Sequence, residues 1–155
     1  MTRFTWGIVV GVLALVALSV GVAAVANSRQ TPPDLSTPEG VVLAYALALQ
    51  SGDIDRAWDL LAESARAQTT REAFISRASG LRGGYERARL AVENVQVEGD
   101  VARVELVRRY EGADGPLGVF GGAYTNRNTV RLARESSEWR IVTPPDPFVL
   151  QGPPR

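Results

Sequence analysis

The chain has 155 residues with 17 basic and 17 acidic side chains, so its formal net charge is zero and no polyanionic partner is indicated. It contains no cysteine and no histidine. That composition excludes disulfides, thiolate chemistry, His-based catalytic triads and metal sites built from Cys or His. All the basic residues are arginine, which is typical of GC-rich codon usage. We therefore expect no metal and no cofactor, and one folded domain of about 120 residues.

The N-terminal segment is apolar over the length of a membrane span. From Phe4 to Ala26 it carries no charged residue, and about 20 residues at 1.5 Å rise cross the ~30 Å hydrocarbon core. Arg3 precedes the apolar run, and Trp6 lies where an interfacial aromatic anchor would sit. We predict that residues 1–27 form a single-pass anchor in the cell membrane, with the domain on the extracytoplasmic side.

A cleaved signal peptide is the alternative interpretation of the same segment. Ala24-Val25-Ala26 offers a small-x-small cleavage site, and cleavage near Ala26 would secrete the domain. The apolar run from Gly7 to Ala26 is longer than the usual hydrophobic region of about 7–15 residues. Its length favours the uncleaved anchor, and either interpretation exports the domain. The polar residues 28–36, which include a Pro-Pro pair, are predicted to be a linker.

Three helices are predicted after the linker. The first and third begin at S/T-x-x-E capping boxes that start at Ser36 and Thr69. The first helix ends at Gly52, and Asp53 caps the second helix, which is amphipathic and extends past Leu61. Glycines at positions 80, 83 and 84 are predicted to end the third helix.

From Tyr85 the hydrophobic period changes to two, which is typical of strands. Two strands flank a hairpin turn at Glu98-Gly99-Asp100, and a third strand turns through residues 135–138 into a fourth. Prolines at 144, 145 and 147 are expected to stop further pairing. The predicted fold class is therefore α+β, with three helices packed on one face of a curved antiparallel sheet of about four strands.

Residues 36–143 resemble the NTF2-like, or cystatin-like α+β cone, superfamily. The stretch TPEGVVLAYALALQSGDIDRAWDLL is similar to the start of its exported members, and EWRIV is similar to their closing strand. The resemblance implies a sheet wrapped around a cone-shaped cavity, and often dimerisation through the sheet. With it, the predicted organisation is an anchor or signal at 1–27, a linker at 28–36, an NTF2-like domain at 37–145 and a tail at 146–155.

Enzymes of this superfamily, such as ketosteroid isomerases, polyketide cyclases and dehydratases, resemble one another in using an Asp or His base and a Tyr or Asp acid that face the cavity. This chain has no histidine. Its Asp59, Glu63 and Glu105 lie on the predicted polar faces of their elements, where solvated charges are expected. No catalytic residue of the family carries over by position, so we predict no catalytic site.

One polar cluster marks a candidate cavity mouth. The inward positions of the second and third strands change from apolar to polar at one end, and an antiparallel hairpin would bring those ends together. The residues concerned are Arg108, Tyr110, Tyr124, Asn126 and Asn128. Apolar walls with a few hydrogen-bonding groups are typical of ligand pockets, and Arg108 would hold an anion or carboxylate there. The alternative is a strand end that simply emerges into solvent.

These observations predict a membrane-tethered extracytoplasmic domain that acts as a non-enzymatic interaction or scaffold module of the bacterial envelope. The alternative is a small-ligand binder or weak acid–base enzyme that uses the cone cavity. Expected partners are the membrane, through the N-terminal helix, and a protein or a second copy of the chain, through the sheet. No nucleic acid is expected.

Overall fold

A computed structural model of the chain describes residues 32–110 and 123–151. The predicted anchor, residues 28–31 of the linker, residues 111–122 and the last four residues lie outside the described residues. Within the described ranges, no helix combines the length and the hydropathy that crossing a bilayer requires.

In the part of the chain that the structure describes, four α-helices precede the sheet, one more than the three predicted after the linker. They are α1 (Pro38–Ser51), α2 (Ile54–Asp59), α3 (Glu63–Arg66) and α4 (Arg71–Glu86). The second predicted helix is too long, because its backbone leaves the helix after Asp59 and bonds to the last strand of the sheet. Ala62 donates to the carbonyl of Ile141 at 2.9 Å, and Ile141 donates to the carbonyl of Leu60 at 2.9 Å.

The start of α1 lies one residue after the predicted capping box. Thr37 is the N-cap, and its Oγ1 accepts a hydrogen bond from the N–H of Gly40 at 3.2 Å. Ser36 instead donates its N–H to the Asp34 carboxylate at 2.9 Å. The reason is Pro38, which is favoured at the first helical position and so places the cap immediately before it. The end of the predicted linker is therefore a structured turn.

Helix α4 also begins one residue later and ends later than predicted. Thr70, rather than Thr69, is the N-cap, and the helix continues through the glycines at 80–84 to Glu86. Tyr85, which we predicted at the start of a strand, lies in the last turn and is fully buried. Its packing stabilises that turn and offsets the low helix propensity of glycine, about 1 kcal/mol per residue.

Within the described residues, the sheet has four antiparallel strands in the order β1-β2-β3-β4, which confirms the predicted α+β class and strand number. The strands are β1 (Ala88–Glu98), β2 (Val101–Tyr110), β3 (Tyr124–Glu135) and β4 (Glu138–Thr143). The first hairpin turns at Gly99 with φ 61°, as predicted. One sheet face, called the inner face here, supplies Val104, Leu106, Val130 and Leu132 to the core that it forms with the helices. The opposite face is called the outer face.

The domain continues past residue 145, where the sequence placed the start of a tail. Pro144 and Pro145 are buried, and a short 3₁₀ helix follows at Pro147–Leu150. Val149 and Leu150 belong to the hydrophobic core. The prolines end β4, as predicted, but they also return the chain to the inner face, because the last apolar residues are stabilised by burial there.

Replacing Ser136 and Ser137 by Asn and Gly is expected to stabilise the fold. These two residues join β3 to β4 and have φ of 50° and 74°. Left-handed conformations cost a non-glycine residue roughly 1–2 kcal/mol, whereas Asn-Gly suits a two-residue turn with both φ positive. The free energy of unfolding in urea should rise by about 1–2 kcal/mol. A rise no larger than that given by Ser64→Asn, at an exposed position of α3, would contradict this reason.

Candidate functional site

The candidate site is centred on Arg108, which β2 carries on the inner face of the sheet. Only 5% of the residue is exposed, although the sequence predicted it at the mouth of a cavity. A guanidinium so far from water requires an opposite charge and hydrogen-bond acceptors. Neighbouring residues must therefore supply this charge and these acceptors.

The counter-charge is Asp146, from the segment after β4. Its Oδ2 accepts from the Nη1 of Arg108 at 3.2 Å and from the hydroxyl of Tyr85 at 2.7 Å. Its Oδ1 accepts from the Nη2 of Arg108 at 3.2 Å. The guanidinium carbon also lies 4.7 Å from the centre of the Tyr85 ring, within cation–π range. The sequence did not predict Tyr85 or Asp146 as site residues. Tyr85 was predicted at the start of a strand, and Asp146 at the start of the tail.

Four of the five predicted site residues form two separate pairs. Asn128 joins Arg108, whose Nη2 donates to its Oδ1 at 3.0 Å. Tyr110 and Tyr124 stack on each other instead, with ring centres 4.3 Å apart and planes 12° from parallel. Asn126 lies opposite Arg108 in the β2–β3 ladder but is exposed. Binding of a ligand by these residues stays a prediction.

Two polar atoms near the ion pair are buried without a hydrogen-bond partner among the described residues. They are the hydroxyl of Tyr45, on α1, and the Nε of Arg108. Tyr45 is fully buried, and the negative charge of Asp146 contributes to its raised pKa. An unpaired buried hydroxyl or N–H costs about 1–3 kcal/mol. The core thus retains hydrogen-bonding capacity beside an otherwise satisfied ion pair.

Burial keeps the tyrosines of this region un-ionised. Desolvation first, and then the negative charge of Asp146, raise the pKa of Tyr45 and of Tyr85 far above the ordinary value. Desolvation also raises the pKa of Tyr110. Burial alone would lower the pKa of Arg108, but Tyr85 and Asp146 outweigh burial, and the net change is upward. The site therefore holds a permanent cation and neutral phenols at physiological pH.

The other carboxylates that the sequence considered lie away from this cluster. Asp59 and Glu63 are exposed, and Glu105 is half-buried on the outer sheet face, 3.8 Å from Arg127. These positions agree with the polar faces predicted for them. Across residues 32–110 and 123–151, no group of three or more Asp and Glu side chains is placed to hold a metal ion.

A spectrophotometric titration should distinguish the buried tyrosines from the others. The chain has four tyrosines, and the raised pKa values of Tyr45 and Tyr85 mean that folding stabilises their neutral forms. Their contribution to stability is complete below the unfolded pKa of about 10 and is lost as pH rises above it. We expect absorbance at 295 nm to report these two only when the protein unfolds in alkali. Complete ionisation before the loss of the circular dichroism signal would contradict this.

Comparison with known proteins adds information on the fold. No protein-family model matches the chain, and no curated protein matches it significantly. A solved SEC-C motif containing protein from Rhodopseudomonas palustris aligns with a TM-score of 0.50 and 17% identity, over 70% of this chain and 77% of that chain. At this identity the likeness shows fold alone.

Two further solved structures align with lower TM-scores. A putative NTF2-like transpeptidase from Campylobacter jejuni has a TM-score of 0.47 and 13% identity, over 68% of this chain and 97% of that chain. An NTF2-like protein with a cystatin-like fold from Novosphingobium aromaticivorans has a TM-score of 0.46 and 19% identity, over 67% of this chain and 74% of that chain. The structural neighbours thus include NTF2-like and cystatin-like folds.

Proposed function

We propose that the chain is an NTF2-like domain, tethered to the outer side of a cell membrane by its N-terminal segment, that acts by binding other proteins rather than by catalysis. The observation that carries the proposal is the commitment of Asp146 to Arg108 and Tyr85 within the chain. The tether is supported by the uncharged run from Phe4 to Ala26.

The chemistry of the inner cluster supports a structural role for it. A general base must be free to accept a proton from a substrate, and an anion site must offer unoccupied donors. The carboxylate of Asp146 accepts hydrogen bonds from two side chains, and both terminal nitrogens of Arg108 are engaged. Tyr85 is neutral and donates its proton to Asp146. These groups bind one another and so hold the C-terminal segment against the sheet.

The outer face of the sheet supports a role in binding. Arg103 on β2 lies directly opposite Arg131 on β3, and both are exposed. Within the part of the chain that the structure describes, neither forms an ion pair. Like charges directly opposite each other destabilise a sheet. An acidic partner on this face would remove that cost, because it would supply the missing negative charge.

The tether is tested by cell fractionation and protease shaving. We expect the full-length chain in the membrane fraction after a carbonate wash, and digestion of the domain by protease added to spheroplasts. A mature protein that lacks residues 1–26 and is found in the medium would contradict the tether and support the secreted alternative.

The binding role is tested by comparing an interior variant with a surface variant. Partners cross-linked in solubilised membranes should be the same for the wild type and for R108M/D146L/Y85F, which removes the inner polar cluster. They should be lost from R103E/R131E, in which the charge at these two positions of the outer face is reversed. Circular dichroism establishes that each variant is folded. Loss of partners from the interior variant alone would overturn the proposal.

A second candidate function is the binding of a small polar ligand inside the domain. The unpaired hydroxyl of Tyr45 and the unpaired Nε of Arg108 favour it. Native mass spectrometry of the protein purified from its membrane should then show an added mass that Tyr45→Phe removes. A wild-type spectrum without added mass would count against this candidate and leave the first one standing.

A further inference from the structure

Among the described residues, the four-stranded sheet has one covered edge and one open edge. Residues 60–62 form backbone hydrogen bonds with β4 and so cover its edge. At the other edge, β1 is 11 residues long and, in the described ranges, pairs only with β2. A long open edge presents a row of free backbone N–H and C=O groups, which favours pairing with another strand.

A β-bulge in the middle of β1 determines which side chains face the core. Val92 pairs with Leu106 and Asn94 pairs with Glu105, so Glu93 is the extra residue. The carboxylate of Glu93 binds Arg109 and Arg127 on the outer face, and therefore Glu93 and Asn94 both face outward. As a result, Val92 and Val95 face inward at equal distances from the bulge, and so do Leu90 and Val97.

That symmetry makes β1 complementary to a second copy of itself. With a two-fold axis between residues 93 and 94, Val92 lies opposite Val95 of the second copy, and Leu90 lies opposite its Val97. All four residues are inward in their own domain, as the pairing with β2 shows. A regular strand in this register would place inward residues opposite outward ones, so the bulge is what makes the faces match.

We propose that two copies of the chain pair antiparallel through β1 in this register and join their sheets into one. The pairing covers Val97, which is 52% exposed in the single copy, and places apolar residues opposite apolar residues. This proposal is independent of the function proposed above, because it needs neither the tether nor an acidic partner.

The outer face itself is a poor surface for self-association. Arg103 and Arg131 lie opposite each other there, and stacking two such faces would bring further arginines against them. Edge pairing keeps these residues in solvent. The dimer that the structure indicates therefore differs from one made through the face of the sheet.

Disulfide cross-linking of the full-length chain in detergent tests the register, because the native chain has no cysteine. In the proposed pair Asn94 lies next to Asn94 of the second copy, within disulfide reach. Gln96, which is also exposed on the outer face of β1, lies opposite Ala91 of the second copy and far from the second copy's Gln96. Under mild oxidation Asn94→Cys should give at least ten times more covalent dimer than Gln96→Cys. Equal yields, or no dimer from either, would overturn the proposal.

A charged residue at position 97 of β1 tests the proposed contact between inner-face residues of the two copies. Val97→Lys, combined with Asn94→Cys, should reduce the covalent dimer about ten-fold because the ammonium would lie opposite Leu90 of the second copy. Val97→Ile should leave it unchanged. The circular dichroism spectrum should not change in either variant, since Val97 is half-exposed in the single copy. Cross-linking of Asn94→Cys that persists with Val97→Lys would indicate contact through the outer face and would also overturn the proposal.

Discussion

Replacement of Asp146 by asparagine is expected to lower the free energy of unfolding by about 3–5 kcal/mol, because it leaves the charge of Arg108 buried without a counter-ion. Side-chain exposure in this pair is 7% for Arg108 and 14% for Asp146. The substitution preserves size and shape, so the loss reports charge rather than packing. Urea denaturation followed by circular dichroism measures it.

A matched control is available on the surface. Arg71 and Asp55 form an ion pair at 2.7 Å, with side chains 53% and 64% exposed. Exposed pairs contribute about 0–1 kcal/mol, so Asp55→Asn should change the free energy of unfolding by less than 1 kcal/mol. If Asp146→Asn costs no more than Asp55→Asn, the buried pair does not hold the C-terminal segment.

Removing the ion pair together with the Tyr85 hydroxyl should be less harmful than removing the Asp146 charge alone. Apolar replacement of a complete buried ion pair is often neutral or stabilising. Tyr85 must change with the pair, because its hydroxyl would otherwise lose its acceptor. The variant R108M/D146L/Y85F should therefore be more stable than Asp146→Asn alone. A triple variant as unstable as the single one would mean that packing, rather than charge, dominates at this site.

Replacement of Gly40 by alanine is expected to lower the free energy of unfolding by about 1–3 kcal/mol through overpacking. A Cβ at this position would lie 1.9 Å from the backbone carbonyl oxygen of Asp34. That carbonyl accepts hydrogen bonds from the N–H and the hydroxyl of Thr37, the N-cap of α1. The turn that leads into α1 must move, and the cap is weakened with it. Chemical denaturation of the two proteins gives the difference.

Replacing glycine by alanine in α4 should raise the free energy of unfolding rather than lower it. No atom lies within 4 Å of a Cβ built on Gly80 or Gly83. Alanine there adds helix propensity without a clash and should stabilise the domain by about 0.5–1 kcal/mol at each position. Equal effects of Gly40→Ala and Gly83→Ala would contradict the steric explanation for Gly40.

Local signals predicted the hairpin turns, the end of α1 and the α+β class. Gly52 ends α1 with φ 81°, and Gly99 begins the first hairpin turn with φ 61°, both as expected from glycine at those places. The alternation along β2 and β3 also predicted which of their residues face inward, including Arg108 and Asn128. Such features depend on residues a few positions apart, so the sequence pattern contains them directly.

Longer-range contacts changed the elements that local signals described poorly. The glycines at 80–84 predicted a helix end, but the burial of Tyr85 extends α4 through them. Helix α2 is shorter than its apolar pattern indicates, because residues 60–62 bond to β4 instead. In both cases a contact made across the fold outweighs a propensity of about 1 kcal/mol.

By itself, the sequence determined the α+β class, the four strands, the inward position of Arg108 and the lack of cysteine and histidine chemistry. Only the tertiary structure decided that Arg108 is paired within the chain, since its partner Asp146 lies 38 residues further on and beyond the last strand. It also decided that the bulge at Glu93 makes β1 symmetric. Periodicity reports which way a side chain faces, whereas the partner it meets depends on how distant segments are brought together.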